Sequence, residues 1–411
     1  MEIANFKLGR RIPSIWNLIF SLVTRVDGAG DHLEPPSLSS QTSNPPPTKP
    51  RRRWLQYSLR SLFVLTAICA LASYYVSSQL HQYYIEQDCL KELTKAGIRV
   101  TTRNVAPHWL QWCLGSDRLF FMERVVGCQL FLQPPPTPDR LQLLSHLSQL
   151  ETLEVDLMSD SLTIETIPPN CRGTLREFYL SGSDLTDQDL AGLEQMKSLE
   201  FLTLDSREIT DQGLKGIAGL TKLRYLSVEG TQLTDERLAD VAKLGSLEAL
   251  DISGTQVTDE GVKLLTKIKA LRRVTLGSWH IHARSAETLA ALSWLTDVRI
   301  TTSDIDDGAV KQLTHLRNLQ VLELWGAGLS DDGVKLLQKF KKLEYLCLVG
   351  SRVSNECAKH LIHLSPSLKE IDLRDSRFGV AGEVMLESAR PNLKLLSSPD
   401  RIPSMRKLMT E

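Results

Sequence analysis

Asp259 and Glu260 stand side by side before Gly261 in the stretch Gly-Thr-Gln-Val-Thr-Asp-Glu-Gly-Val-Lys-Leu-Leu, residues 254–265. Adjacent carboxylates beside a glycine are the raw material of a divalent-cation site or of a general acid and base. A second group, Trp279, His280 and His282, offers two imidazoles at a spacing that could serve a metal. The first group has a near-twin in Gly-Thr-Gln-Leu-Thr-Asp-Glu-Arg-Leu-Ala-Asp-Val at 230–241. Further relatives are Leu185-Thr186-Asp187, Ile209-Thr210-Asp211, Leu329-Ser330-Asp331 and, with an amide in place of the acid, Val353-Ser354-Asn355. A reaction centre is needed once, and this pattern recurs. Each copy precedes residues with helical spacing. There a hydroxyl can accept from an unpaired N–H of the first turn, and an acid meets the positive end of the helix, a cap worth about 1 kcal/mol. The carboxylates are predicted to be caps. For the histidines no third ligand lies nearby in sequence, so the expectation is a local loop irregularity, with a partner contact as the alternative. Neither a metal nor a cofactor is expected.

The elements that carry these caps repeat. A Leu-x-x-Leu-x-Leu pattern, with Val, Ile or Phe allowed, starts at Leu150, Leu175, Leu199, Leu223, Leu247, Leu271, Leu295, Leu319, Leu343 and Leu368, and Leu393 begins a partial copy. One more copy is readable at Val125, with Cys128 and Leu130 inside it. Within a copy the apolar residues first alternate, as in 199–204, which predicts a short strand. They then fall three and four apart, as in 261–268, which predicts a helix. A strand and helix of this size cannot bury their own apolar faces, whereas stacked copies can, giving an α/β solenoid whose strands line a concave sheet. Ser183, Thr231, Thr255, Ser303, Ser351 and Ser376 occupy the turn after the strand, where a hydroxyl can bond backbone groups.

Side chains between the core leucines must leave the concave sheet. They form one column with Phe201, Tyr225, Arg273, Asp297 and Tyr345, and a second with Tyr179, Asp251, Arg299 and Glu323. Asp205, Glu229 and Trp325 lie just beyond. Aromatics interleaved with charges suit a protein or peptide partner. About ten strands at roughly 4.8 Å spacing make a face some 50 Å long, oversized for a small metabolite.

Lys and Arg (48) nearly balance Asp and Glu (49), which gives no field for nucleic acid. The seven cysteines form no Cys-x-x-Cys pair and read as small buried residues, although Cys113 and Cys128 would be free to pair outside the cytoplasm. No Gly-rich phosphate loop, nucleophile elbow or His-Glu-x-x-His motif is present, which argues against an enzyme.

From Ser61 to Leu80 the chain has 20 consecutive residues without a charge. As a helix they span roughly 30 Å, the thickness of a bilayer's hydrocarbon. Trp54 and Tyr57 precede the stretch, and Tyr74, Tyr75, Tyr83 and Tyr84 mark its far end, as an interfacial belt would. Lys49, Arg51, Arg52, Arg53 and Arg60 outweigh Lys91, Lys95 and Arg99, which places the N-terminus in the cytoplasm and the repeats outside a cytoplasmic membrane. The expected organisation is an N-terminal segment at 1–26, a disordered Pro/Ser-rich linker at 27–53 and a transmembrane helix with flanks at 54–80. A juxtamembrane αβ cap at 81–135, repeats at 136–396 and a tail at 397–411 follow.

On these anchors the chain resembles leucine-rich repeat proteins of the helix-bearing, 24-residue kind over about 125–396. With Arg-Arg-Trp-Leu-Gln-Tyr-Ser-Leu-Arg-Ser-Leu-Phe-Val-Leu-Thr (52–66) ahead of them, it is similar to a group of membrane-anchored repeat proteins abundant in planctomycete bacteria. The resemblance implies a single anchor, a small αβ juxtamembrane unit and then the repeats; the expected fold is a right-handed solenoid, and the expected role is that of a non-enzymatic, membrane-anchored interaction module. The alternative is a substrate-recruiting subunit of a ubiquitin-ligase-like complex, because F-box proteins carry similar repeats. That reading needs a three-helix F-box domain, and 81–135 is short and lacks the pattern.

Overall fold

Alternating leucines at each copy's start do what their period requires: in β4 (Glu177–Ser181) and β5 (Phe201–Asp205) every second side chain is buried and its neighbours are not. The structure is a computed structural model, and it describes residues 59–131, 138–156, 163–278 and 280–397. The expectations for 1–58, for 398–411 and for Trp279 lie outside the described residues. The chain divides into two units, residues 1–82 and 83–411.

Among the described residues, thirteen strands form one sheet in chain order. They are β1 (Arg99–Asn104), β2 (Glu123–Phe131), β3 (Thr152–Asp156), β4, β5, β6 (Tyr225–Ser227), β7 (Ala249–Asp251), β8 (Arg273–Leu276), β9 (Asp297–Thr301), β10 (Val321–Trp325), β11 (Tyr345–Cys347), β12 (Glu370–Asp372) and β13 (Lys394–Leu396). Of their pairings only β1–β2 is antiparallel; from β2 onward every pair is parallel. Each strand residue pairs with its counterpart one copy later, as Leu202↔Leu226, Leu250↔Val274 and Val298↔Leu322 show. The return segments are helical at Asp235–Val241, Ala283–Ala290, Asp307–Leu313 and Asp331–Leu336. They differ from the expected helix elsewhere: Leu193–Gln195 and Gly213–Gly219 form tighter 3-10 turns, and the segment 261–268 is α-helical only through Val262 (Asp259–Val262) before it tightens to a 3-10 helix at Lys263–Lys267. Gly213, Gly216 and Gly219 weaken a full α-helix in their own segment.

The first described helix runs Leu59–Lys95, and the chain turns at Gly97, whose φ is 78°. Among the described residues it is the one helix long and apolar enough to cross a bilayer. In the larger unit its last turns bury Cys89 and Leu93 with Ile98, Val125, Cys128 and Leu130 in the same core as the repeats. Glu86 and Arg124 form a buried ion pair there, 3.7 Å apart with each side chain 2% exposed. Glu86 also accepts from Ser148 Oγ (2.9 Å), and Arg124 donates to the Phe121 carbonyl (2.8 Å). Removing one partner of such a pair strands a buried charge, a loss of about 3–5 kcal/mol.

Cys89, Cys128, Cys171, Cys347 and Cys357 are buried. Burial pushes the Cys128 and Cys171 thiols up to about 12, so they pack as small apolar groups. Cys128 is free in β2, so the disulfide that the sequence left open to it is not formed.

Candidate functional site

The recurring carboxylates do more than cap their own helices: they reach across to the next copy. Asp187 accepts from the Thr210 N–H (2.7 Å) and the Thr210 hydroxyl (2.6 Å). Asp211 does the same with Thr234, Asp235 with Thr258, Asp307 with Ser330 and Asp331 with Ser354. Asn355 ends the ladder by accepting from the N–H of Gly379 (2.7 Å). The hydroxyl, now fixed from behind, accepts from the first turn ahead: Thr258 Oγ1 from Glu260 N–H (3.2 Å) and Ser330 Oγ from Gly333 N–H (3.3 Å). The expected hydroxyl caps are therefore present at Thr210, Thr258, Ser330 and Ser354 but not at Thr234, whose hydroxyl makes no bond to its own first turn, while the acid's place is corrected from its own helix to the neighbouring copy. The glycine beside the pair has its explanation here as well. A Cβ on Gly261 would run into Asp235 Oδ1, and one on Gly333 into Asp307 Oδ1.

The turn hydroxyls bond as expected in three copies: Thr231, Thr255 and Ser376 donate to the carbonyls of Val228 (2.8 Å), Ile252 (2.7 Å) and Leu373 (2.6 Å).

The histidine copy is a variant rung. The His282 N–H donates to Asp259 Oδ1 (3.0 Å), and its Nδ1 lies 3.3 Å from Oδ2 of the same acid. Ser285 supplies the hydroxyl that Thr gives elsewhere, donating to Oδ1. Burial works to raise the Asp259 carboxyl, but the bonds from Ser285 and the His282 N–H outweigh it and hold the group below the usual range. Ala283 takes the ladder acid's position in this copy, so nothing of that kind reaches the next. There Asp306 stands in for the hydroxyl and accepts from Ala309 N–H (2.9 Å), capping its own helix. No group of three or more potential metal ligands occurs among the described residues.

The sheet's other face holds the remaining candidates in the two predicted columns. Phe201 pairs with Tyr225, Arg273 with Asp297, and the line continues through Val321 to Tyr345. Tyr179, Asp251, Arg299 and Glu323 lie in the second column on β4, β7, β9 and β10. Toward the N-terminal side the face is aromatic. Phe201 and Tyr225 stack with ring centroids 6.1 Å apart and planes 26° from parallel. Burial, then the nearby Asp251 carboxylate, raises the Tyr225 phenol, and burial with Glu177 raises that of Tyr179. Asp205 and Glu229 are exposed at the strand ends. Partial burial, with the charges of Asp251 and Asp205, lifts the Glu229 carboxyl above its ordinary value.

Toward the C-terminal side the face is ionic. Arg273 Nε donates to Asp297 Oδ2 (2.9 Å), Arg299 Nε to Oδ1 (3.1 Å), and Arg299 Nη1 lies 3.3 Å from Glu323. Asp297 differs from the expectation for an outward-facing residue: it is buried beneath the two arginines and holds them in place. Trp325, 42% exposed, donates its indole N–H to Glu323 Oε2 (3.3 Å). Burial, with Cys347, Glu323, Asp372 and Glu370 around it, pushes the Tyr345 phenol up to about 12, so it stays protonated. Sequence reasoning missed Arg374, which grips the buried Asp372 through Nε–Oδ1 (3.0 Å) and Nη2–Oδ2 (2.6 Å). The second column, continued one step past Cys347 to Asp372, leads to it.

A family model described as a leucine-rich repeat region matches residues 174–399. No curated protein matches the chain. Among solved structures it is similar to an internalin from Listeria monocytogenes, at 18% identity over 65% of this chain and 90% of that one, with a TM-score of 0.40. The parallel one-strand-per-copy sheet and the family match over more than half of the sequence agree, and the chain belongs to the leucine-rich repeat family.

Proposed function

We propose that this chain is a non-enzymatic, single-pass membrane protein that displays its repeats outside the cytoplasmic membrane and binds a protein or peptide segment on the concave face. One observation carries the binding reading: the sheet face holds a stacked Phe201–Tyr225 pair and, further along, the exposed Trp325. Aromatic side chains on a fixed strand framework bury area at little cost in side-chain entropy, and such residues dominate protein interfaces. The arginines tied down by Asp297 present oriented guanidinium groups beside them.

The anchoring reading rests on the helix Leu59–Lys95, where Phe63 and Leu71 are 68% and 69% exposed, as side chains meeting lipid would be. The excess of basic residues before the span supports the outward orientation of the repeats. Protease added to intact spheroplasts tests this placement: the repeats should be cleaved without lysis. Resistance until lysis would contradict it and revive the ubiquitin-ligase-like alternative. The β1–β2 pair in the segment before the repeats weighs against that alternative, which needs three helices there. For the face itself, Phe201→Ser with Tyr225→Ser should abolish partner retention while circular dichroism stays that of the parent.

A further inference from the structure

The largest exposed aromatic groups among the described residues are not on the sheet but before it: Trp109 is 67% and Trp112 is 88% exposed. They lie three apart on the short helix His108–Leu114, so they share one side of it. This helix does not dangle. Gln111 Nε2 donates to the Ala106 carbonyl (2.6 Å), and Asn104 Nδ2 donates to the Leu119 carbonyl (3.1 Å) of the following turn. That turn, Ser116–Met122, buries Leu119, Phe121 and Met122 but leaves Phe120 44% exposed. Phe120 packs edge-on against Tyr83 at 5.6 Å, and Tyr83 against Tyr84 at 5.6 Å. Phe120 and Tyr84 thus meet at Tyr83, which follows Leu80, the end of the uncharged stretch, by three residues on one continuous helix. Three residues of helix advance about 4.5 Å, so Tyr83 falls where a spanning helix leaves the hydrocarbon.

We infer that this aromatic end of the larger unit rests in the headgroup–acyl boundary of the bilayer, with Trp109 and Trp112 as membrane contacts of that unit. The inference rests on the anchored reading above. Trp and Tyr combine an apolar ring with a polar handle, which is why they collect at that boundary. Arg118, exposed on the same turn, can extend its guanidinium to lipid phosphates while its stem follows the rings down.

The test uses the full chain reconstituted in phosphatidylcholine vesicles carrying bromine at shallow acyl positions, which quench nearby tryptophans. Quenching of the parent should exceed that of Trp109→Ser/Trp112→Ser, and the lost component should be the blue-shifted part of the emission. Equal quenching of the two proteins, both retained after carbonate extraction, would overturn the inference while leaving the anchor intact. Release of the parent by carbonate would overturn the anchor reading, and this contact with it.

Discussion

The ladder edge and the open sheet face use the same side chain to opposite ends. On the edge, Asp187, Asp211, Asp235, Asp307 and Asp331 each receive an N–H and a hydroxyl from the next copy. On the face, Asp205 and Glu229 are exposed, and the charge of Asp205 helps to raise Glu229. A carboxylate whose bonds are filled from within is architecture. One held near others of its own sign, on a surface with stacked rings, is available to something else. What recurs in this molecule holds copies together, and what varies from copy to copy faces outward.

The largest expected effect comes from crowding the ladder. Gly261→Val should destabilise by about 3 kcal/mol, since its side chain must displace Asp235. Adding Asp235→Ala should recover part of that loss, a coupling that thermal or denaturant unfolding of the double variant would reveal. Alone, Asp235→Ala should cost roughly 2 kcal/mol by leaving the Thr258 donors without their charged acceptor. On the face the pattern should invert. Phe201→Ala should change stability by only about 1 kcal/mol through the lost stacking. A central aromatic anchor of an interface is worth about 2 kcal/mol or more, so partner affinity should fall roughly 30-fold in a titration.

The smallest effects are those of pH, and their signs differ. Asp259 has a lowered folded value, so its contribution is complete above the ordinary carboxylate range and lost as pH falls through the lowered value. The stability gap between the parent and Asp259→Asn should therefore close on acidification below that range. Glu229 has a raised value, so ionising it costs stability as pH rises through that value, and the cost is absent below the ordinary one. Glu229→Gln should be slightly more stable than the parent at neutral pH and equal to it in acid. Melting both variants across a pH series from acid to neutral would check the two signs together.

Much of this fold was legible because a stack of identical units turns one local pattern into a long-range one. Leu202, Leu226 and Leu250 mark the strand cores in sequence, and since each strand pairs with its counterpart, the spacing also gives the register. The two face columns follow from the same rule, which is why the repeat alone places Phe201 and Tyr225 side by side. The ladder's direction was not legible. Thr258 and Asp259 are adjacent in sequence and invite a local reading, yet Asp259 bonds His282, and Thr258 is held by Asp235. The available signal was the glycine two residues after the acid, at 213, 261 and 333, which serves no helix and leaves room for a neighbour. The burial of Asp297 was also hidden, because it arises from arginines on its own strand and the one before it.

The central claim is that the variable face, and not the ladder side, meets another protein. A photo-reactive benzoylphenylalanine at position 201 can be compared in intact cells with one at Glu287, exposed on the helix Ala283–Ala290. A discrete adduct from position 201 that disappears with Tyr225→Ser, and none from position 287, is the predicted result. An adduct from position 287 with none from position 201 would contradict it.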